Sequence, residues 1–298
     1  MKTIIKTIDQ FIKYGINFLK NSDRVDLDNI NLDVKILISH VLKVDVKQLL
    51  VMQNIILSDN QIKQIELLLE ERFSGKPVYK IIGTKPFFKN NFITNEYVLD
   101  PRSDTEILVE SIINNYKNTD KFISFLELGS GSGCVILSIL SDLINSNGCA
   151  IDISEKAINT TKKNAINLQL EKRLQFINKD WNKLTQQDFD YKFSGFDCII
   201  SNPPYIKTQD IQNLPIEVQK FDPIISLDGG DNGLKCYLEI ANLLLSKQIK
   251  LNNGAKIFLE IGDNQYTDVK NIFINKGFKF INYVNDLNNV KRVLIFSV

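Results

Sequence analysis

Residues 122–134 read Phe122-Ile123-Ser124-Phe125-Leu126-Glu127-Leu128-Gly129-Ser130-Gly131-Ser132-Gly133-Cys134. A short apolar run breaks into a turn with glycine at every second position and then resumes with helical spacing. Glycine allows the backbone to turn tightly and to approach a bound molecule that a Cβ would keep away. Outward from this strand, turn and helix, the same alternation continues. Apolar strands at 122–128, 149–153, 174–177, 196–201 and 256–261 lie among helical patterns at 105–117, 133–144, 154–168 and 234–249. Such βαβ alternation predicts a mostly parallel sheet covered on both faces. The last two apolar runs, Phe278–Val284 and Val290–Phe296, are joined by a short Asn/Asp-rich loop. That loop is too short for a parallel crossover, so the pair must be antiparallel.

The region before residue 77 differs. Ile4, Ile8, Phe11, Ile12, Gly15 and Leu19 recur at helical spacing, as do Val34, Leu37, Ile38, Val41 and Leu42. A third set, Ile62, Ile65, Leu68, Leu69 and Phe73, follows Ser58 as N-cap and stops at Gly75 and Pro77. A small helical bundle is expected over 1–76. Between 77 and 101, β-prone segments (Val78–Ile82, Phe87–Phe88, Phe92–Leu99) are broken by Gly83, Pro86 and Asn90–Asn91. A hairpin linker over 77–101 and an α/β domain over 102–298 complete the expected organisation. A length of 298 residues agrees with two domains at about 150 residues each.

Composition narrows the function classes. Lysine plus arginine number 36 and aspartate plus glutamate 35, a formal net charge of +1. A binder of duplex DNA held by phosphate neutralisation usually carries a strongly basic domain, so that class is disfavoured. His40 is the one histidine and sits in an apolar helical pattern. Serine–histidine and cysteine–histidine schemes and multi-histidine metal sites are therefore not expected. Cys134, Cys149, Cys198 and Cys236 form no CxxC spacing and read as buried, reduced thiols. Lys2, Lys6, Asp9 and Lys13 interrupt any signal-peptide core, and no apolar run approaches the ~18 residues of a membrane span. A cytoplasmic protein with no membrane partner is expected.

Two further features point to chemistry. Asp152 ends the strand after the glycine turn, 23 residues beyond Gly129, where a carboxylate suits the ribose hydroxyls of a nucleotide. The dinucleotide fingerprint G-x-G-x-x-G would need glycine or alanine at 134, where this chain has Cys134, and no P-loop is present. The G-x-G-x-G turn favours S-adenosylmethionine, which carries no phosphate, over a dinucleotide. Asn202-Pro203-Pro204-Tyr205 directly follows the strand Phe196–Ser201. Ligands of open α/β sheets bind beyond the carboxyl ends of the strands. The Asn202 amide oxygen and the Pro203 carbonyl can together accept both hydrogens of a planar NH2 group, turning its lone pair toward an electrophile. Two prolines stiffen the loop, and Tyr205 offers a flat face for stacking.

Glu127–Gly133, Asp152 and Asn202–Tyr205 together resemble the class I S-adenosylmethionine-dependent amino-methyltransferases. The fuller pattern resembles the HemK/PrmC family, the peptide chain release factor glutamine N5-methyltransferases. It adds Pro101-Arg102, Thr105-Glu106, Asp152-Ile153-Ser154, Asp180-Trp181, Gly229-Gly230 and Leu259-Glu260-Ile261-Gly262, and covers essentially the whole chain. The resemblance implies a seven-stranded sheet with its last strand antiparallel. It implies that Gly129, Ser130, Gly131, Ser132 and Gly133 line the methionine part of S-adenosylmethionine, Asp152 its ribose and Trp181 its adenine. Asn202 would touch cofactor and substrate, with Pro203, Pro204 and Tyr205 gripping the substrate amide; Asn202, Pro203 and Tyr205 would be catalytic. The implied partners are release factors methylated at the glutamine of a Gly-Gly-Gln motif, with S-adenosylhomocysteine as product and no metal.

Ser103 and Asp104, Asp222 and Asn232 depart from the family's usual Pro-Glu, Glu and Asp. Three rival functions share parts of the pattern. One is a glutamine methyltransferase of a ribosomal protein, another an adenine or cytosine amino-methyltransferase of nucleic acid, and the third a catalytically silent binding protein.

Overall fold

The computed structural model describes residues 7–298; Ile4 lies outside them. Thr7 opens α1 (Ile8–Leu19) through a capping box with Gln10. Ile8, Phe11, Gly15 and Leu19 form its buried stripe. Gly15 is the close-approach point: a Cβ there would stand 2.9 Å from Val34 Cγ1 on α2 (Ile30–Leu42). Ser58 caps α3 (Asp59–Phe73) through a second capping box with Gln61, as the sequence predicts. The three helices enclose one apolar core with Val34, Leu37, Ile65 and Leu69 at its centre.

Val78–Ile82 departs from its β-prone reading. It is a short helix, α4, begun after Pro77 and ended by Gly83 at φ +77°. Val78 is buried in the helical core and Lys80 Nζ donates to the Phe221 carbonyl. Burial overrides the local preference of a valine- and isoleucine-rich run. The hairpin follows as β1 (Thr84–Phe87) and β2 (Asn90–Ile93), with Phe87 and Phe92 meeting edge to face at 6.0 Å.

The chain divides into two units, residues 1–84 with 214–221, and residues 85–213 with 222–298. In the first, residues 214–221, which include α8 (Ile216–Phe221), join the helices although they follow the Asn202 loop in sequence. Arg72, almost wholly buried, donates through Nε to Asp33 Oδ2 at 2.6 Å and through Nη2 to Glu217.

The second unit is built on a seven-stranded sheet. Its strands are β3 (Ile123–Leu128), β4 (Ser146–Asp152), β5 (Leu174–Asn178), β6 (Phe196–Ser201), β7 (Leu251–Glu260), β8 (Lys279–Asn285) and β9 (Lys291–Ser297). They lie in the order β5-β4-β3-β6-β7-β9-β8, and β9 runs antiparallel to both neighbours. This is the expected sheet with its expected antiparallel end. Two apolar layers cover it. One holds α5 (Glu106–Tyr116) and α6 (Cys134–Asp142), while α9 (Lys235–Leu245) and α10 (Tyr266–Asn275) pack in the other. α10 was not among the helical patterns read in the sequence, although Val269, Ile272 and Phe273 fall at helical spacing. α7 (Glu155–Asn167) connects β4 to β5. All four cysteines are buried and free, and among the described residues no helix is long and apolar enough to cross a membrane.

Register sets where chemistry can occur. Leu128 pairs with Ile151, Glu127 with Ile200, and Ser201 with Leu259. The carboxyl ends of β3, β4, β6 and β7 therefore share one edge.

Removing one member of a buried ion pair leaves the other charge uncompensated. Arg72→Met should cost about 3–5 kcal/mol of stability in urea unfolding, and adding Asp33→Asn should recover part of it. A loss below about 1 kcal/mol would show that the pair behaves like a surface ion pair.

Candidate active site

The turn after β3 is held from behind by backbone bonds. Gly129 and Ser130 both donate to the Ile151 carbonyl at 2.9 Å, and Gly133 donates to Ser130 at 2.7 Å. Gly129, Gly131 and Gly133 have φ of +78°, +55° and +79°, the left-handed region that side chains disfavour. A Cβ on Gly131 would meet nothing within 4 Å, so this backbone faces open space; on Gly133 it would fall 2.6 Å from Thr161 Cγ2. Gly129, Ser130, Gly131 and Ser132 line a cavity of about 310 Å³, whereas Gly133 stands behind it at the entry to α6.

Asp152 and Trp181 line the same cavity. Asp152 accepts from Gly131 N through Oδ2 and from Ser154 N through Oδ1, each at 2.9 Å. Each oxygen keeps a second lone pair for a ligand. Burial raises the Asp152 pKa, partly opposed by those two backbone donors. The Trp181 indole lies beside the turn, 3.4 Å from where a Cβ of Gly129 would stand, and its Nε1 donates to Glu239 Oε2 at 3.1 Å.

The loop after β6 starts from a staple: Ser201 Oγ donates to the Leu128 carbonyl at 2.7 Å. Asn202 and Pro204 reach the cavity wall, but Pro203 and Tyr205 do not line it. Pro203 is buried. The Tyr205 ring packs against Gly262, where a Cβ would come within 2.8 Å of Cδ2, and burial pushes its phenol up to about 12. Gln265 Nε2 donates to the Tyr205 carbonyl at 3.1 Å. Gly229 and Gly233 sit so close to the Tyr205 backbone that a Cβ on either would come within 3 Å of it. Three glycines thus hold this loop from outside.

Four residues given no site role in the sequence, three of them within the family pattern and Glu239 outside it, complete the site. Glu127 lines the cavity with Oε2 buried and unpartnered, and burial holds its pKa well above the usual carboxylate range. Glu239 positions Trp181. Thr105 Oγ1 accepts from Asn202 Nδ2 at 3.1 Å. Glu260, at the end of β7, is buried beside them, and burial lifts it to about 7 against hydrogen bonds from Thr105 and Asn202 and the charge of Arg292. The available signal for Glu127 and Glu260 was an acid inside an apolar strand, where burial is costly.

Asp222 lies beside the cavity residue Pro223. It is buried and accepts from Asp100 N at 3.2 Å and Arg102 Nη2 at 2.6 Å, so the shorter acid at this position still anchors the Pro101-Arg102 segment.

This sheet order and the glycine turn on its central strand are those of the class I S-adenosylmethionine-dependent methyltransferases. The PrmC N-terminal domain matches residues 10–83 and a methyltransferase domain matches residues 119–251. The bifunctional methyltransferase of Rickettsia prowazekii is 37% identical over 96% of this chain and 58% of its own length. This chain thus spans little more than half of that relative. The release factor glutamine methyltransferase of Thermodesulfovibrio yellowstonii is 35% identical over 88% of this chain and 90% of its own length. Among solved structures, the hMettl16 catalytic domain in complex with a 3′UTR hairpin superposes with a TM-score of 0.54 at 14% identity. It covers 69% of this chain and 74% of that one, a likeness of fold alone. The chain belongs to the release factor glutamine methyltransferase family.

The residues present suit S-adenosylmethionine. The glycine turn opens on unfilled space, an indole flanks it, and the buried oxygen of Glu127 lacks a partner that a cationic group would supply. Asp152→Ala should weaken cofactor binding by about 1–3 kcal/mol, the cost of losing a charged hydrogen bond. Calorimetry on the folded variant measures it, and unchanged affinity would remove Asp152 from the site.

Proposed function

We propose that the protein methylates the side-chain amide nitrogen of the glutamine in the Gly-Gly-Gln motif of peptide chain release factors, in the cytoplasm. The observation that carries this reading is Asn202, which stands on the wall of the cavity that the glycine turn opens into. The loop type supports an NH2 acceptor, and family membership supports glutamine as its source.

When bound, S-adenosylmethionine supplies a methyl group on a positively charged sulfur and leaves as S-adenosylhomocysteine. Gly129–Ser132 would admit its methionine part, Asp152 would accept from its ribose hydroxyls, Trp181 would cover its adenine and Glu127 would face its ammonium group. Asn202 Oδ1 and the Pro203 carbonyl hold the two hydrogens of the glutamine NH2. An amide lone pair is delocalised into its carbonyl, so holding both hydrogens localises it and aims it at the electrophile. Catalysis is then positioning and electrostatics, and the methylated nitrogen, now positive, gives up one hydrogen as a proton to solvent. Pro204 shapes the wall, and Tyr205, packed on Gly262 and Gln265, acts as the rigid base of the loop.

Every cavity residue belongs to the second unit. We assign docking of the release factor to the helical unit, where Leu50, Val51, Ile55 and Ile56 are exposed. Contacts remote from the reacting atoms help to position them.

Asn202→Ala should lower single-turnover transfer by roughly 100-fold or more while leaving cofactor affinity nearly unchanged. Near-normal transfer would sink the role of the loop. Val51→Glu with Ile56→Glu should raise KM for an intact release factor and spare the rate on a short Gly-Gly-Gln peptide. An equal effect on both substrates would overturn the docking assignment.

A further inference from the structure

Glu260 is an acid in a place that charges avoid. It is 2% exposed, ends β7, and its Oε2 has no partner. The pairing of Ser201 with Leu259 sets it beside Asn202, which directly follows the neighbouring strand β6. Asn202 Nδ2 donates to Thr105 Oγ1 at 3.1 Å, and the buried Glu260 carboxylate lies close enough to both for them to lower its pKa. An ionised carboxylate only accepts hydrogen bonds. It therefore tolerates the Asn202 amide with Nδ2 turned toward it and repels the flipped amide, which would present Oδ1. With Nδ2 donating to Thr105 on the side of Glu260, Oδ1 is the end left for a substrate N–H.

We propose that Glu260, together with Thr105, is a positioning residue that locks the Asn202 amide in the one orientation able to accept from the substrate NH2 group; this rests on the reading of Asn202 given above. The lock depends on ionisation. Protonated Glu260 carries an O–H that can donate to Oδ1, so the two amide orientations are no longer discriminated. Burial raises the Glu260 pKa to about 7, with Asp104 adding to the rise and Arg292 opposing it. The other groups facing it, Tyr205, Tyr237 and Cys134, are all pushed up by burial, and with Arg292 they titrate far above that value. Orientation is thus enforced above pH 7 and lost as pH falls through it.

The test has a spectroscopic and a kinetic arm on the full chain. In the 15N spectrum, the Asn202 side-chain NH2 signal, identified by its loss in Asn202→Ala, should shift with a midpoint near pH 7. It should be insensitive to pH in Glu260→Gln. A wild-type signal that does not titrate, or one that titrates equally in Glu260→Gln, overturns the proposal whether or not release factors are the substrate. In single-turnover transfer to an intact release factor, the wild-type rate should rise between pH 6 and 8. Glu260→Gln should be slower by about 100-fold and flat with pH, with cofactor affinity by calorimetry retained. Thr105→Val should also be slow and Thr105→Ser should restore the rate, which keeps the idea open to refutation if Glu260→Gln misfolds. Wild-type rate and profile in Glu260→Gln or Thr105→Val would overturn it. If the wild type transfers nothing to release factors at any pH, the substrate reading falls and the spectroscopic arm still decides the role of Glu260.

Discussion

The Ile151 carbonyl accepts from both Gly129 and Ser130, and one strand over the Leu128 carbonyl accepts from Ser201 Oγ. These bonds tie the carboxyl ends of β4, β3 and β6 together, and every feature of the site hangs from them. The first pair bends the chain so that Gly131 can reach Asp152. The second sets Asn202 at a fixed distance from the glycine turn. Both depend on the parallel register, which is strongly specified because the central strands are buried on both faces. A slip by one residue would exchange the two faces of a strand and destroy both apolar layers.

Around this edge the protein concentrates acids where water is scarce. The pKa values of Glu127, Asp152 and Glu260 are each raised, and burial is the largest cause in every case. Such burial costs stability unless partners offset it. Asp152 has two backbone donors, whereas Glu127 and Glu260 each leave one buried oxygen unmatched. Strained backbone is treated in the opposite way. The left-handed angles of the turn fall on glycines, so the loop approaches its ligand without stored strain.

Much of the fold was legible because its signals are local. Alternating periods, the short loop before the final strand and the acid at Asp152 all lie within a few residues of what they specify. Val78–Ile82 misled because a five-residue apolar run has too few residues to show a period, and its helix is decided by Pro77, Gly83 and the core that receives Val78. α10 rests on one short apolar set, Val269, Ile272 and Phe273, which spans barely a turn and did not stand out. Tyr205 was legible as part of a motif but not in its orientation, which Gly262 and Gln265 decide from elsewhere in the chain.

By itself the sequence determined the parallel sheet, the glycine turn, the acid at Asp152 and the stiff Asn202-Pro203-Pro204-Tyr205 loop. Each follows from covalent geometry or from periodicity along a single stretch of chain. Only the tertiary structure decided that Thr105 and Glu260, 97 residues before and 58 residues after Asn202, come to lie beside its amide. It also decided that residues 214–221 join the helices of the first unit. The physical reason is the same in both cases. A buried acid or an inserted segment is stabilised by partners that chain folding alone brings near, and no local spacing encodes who those partners are.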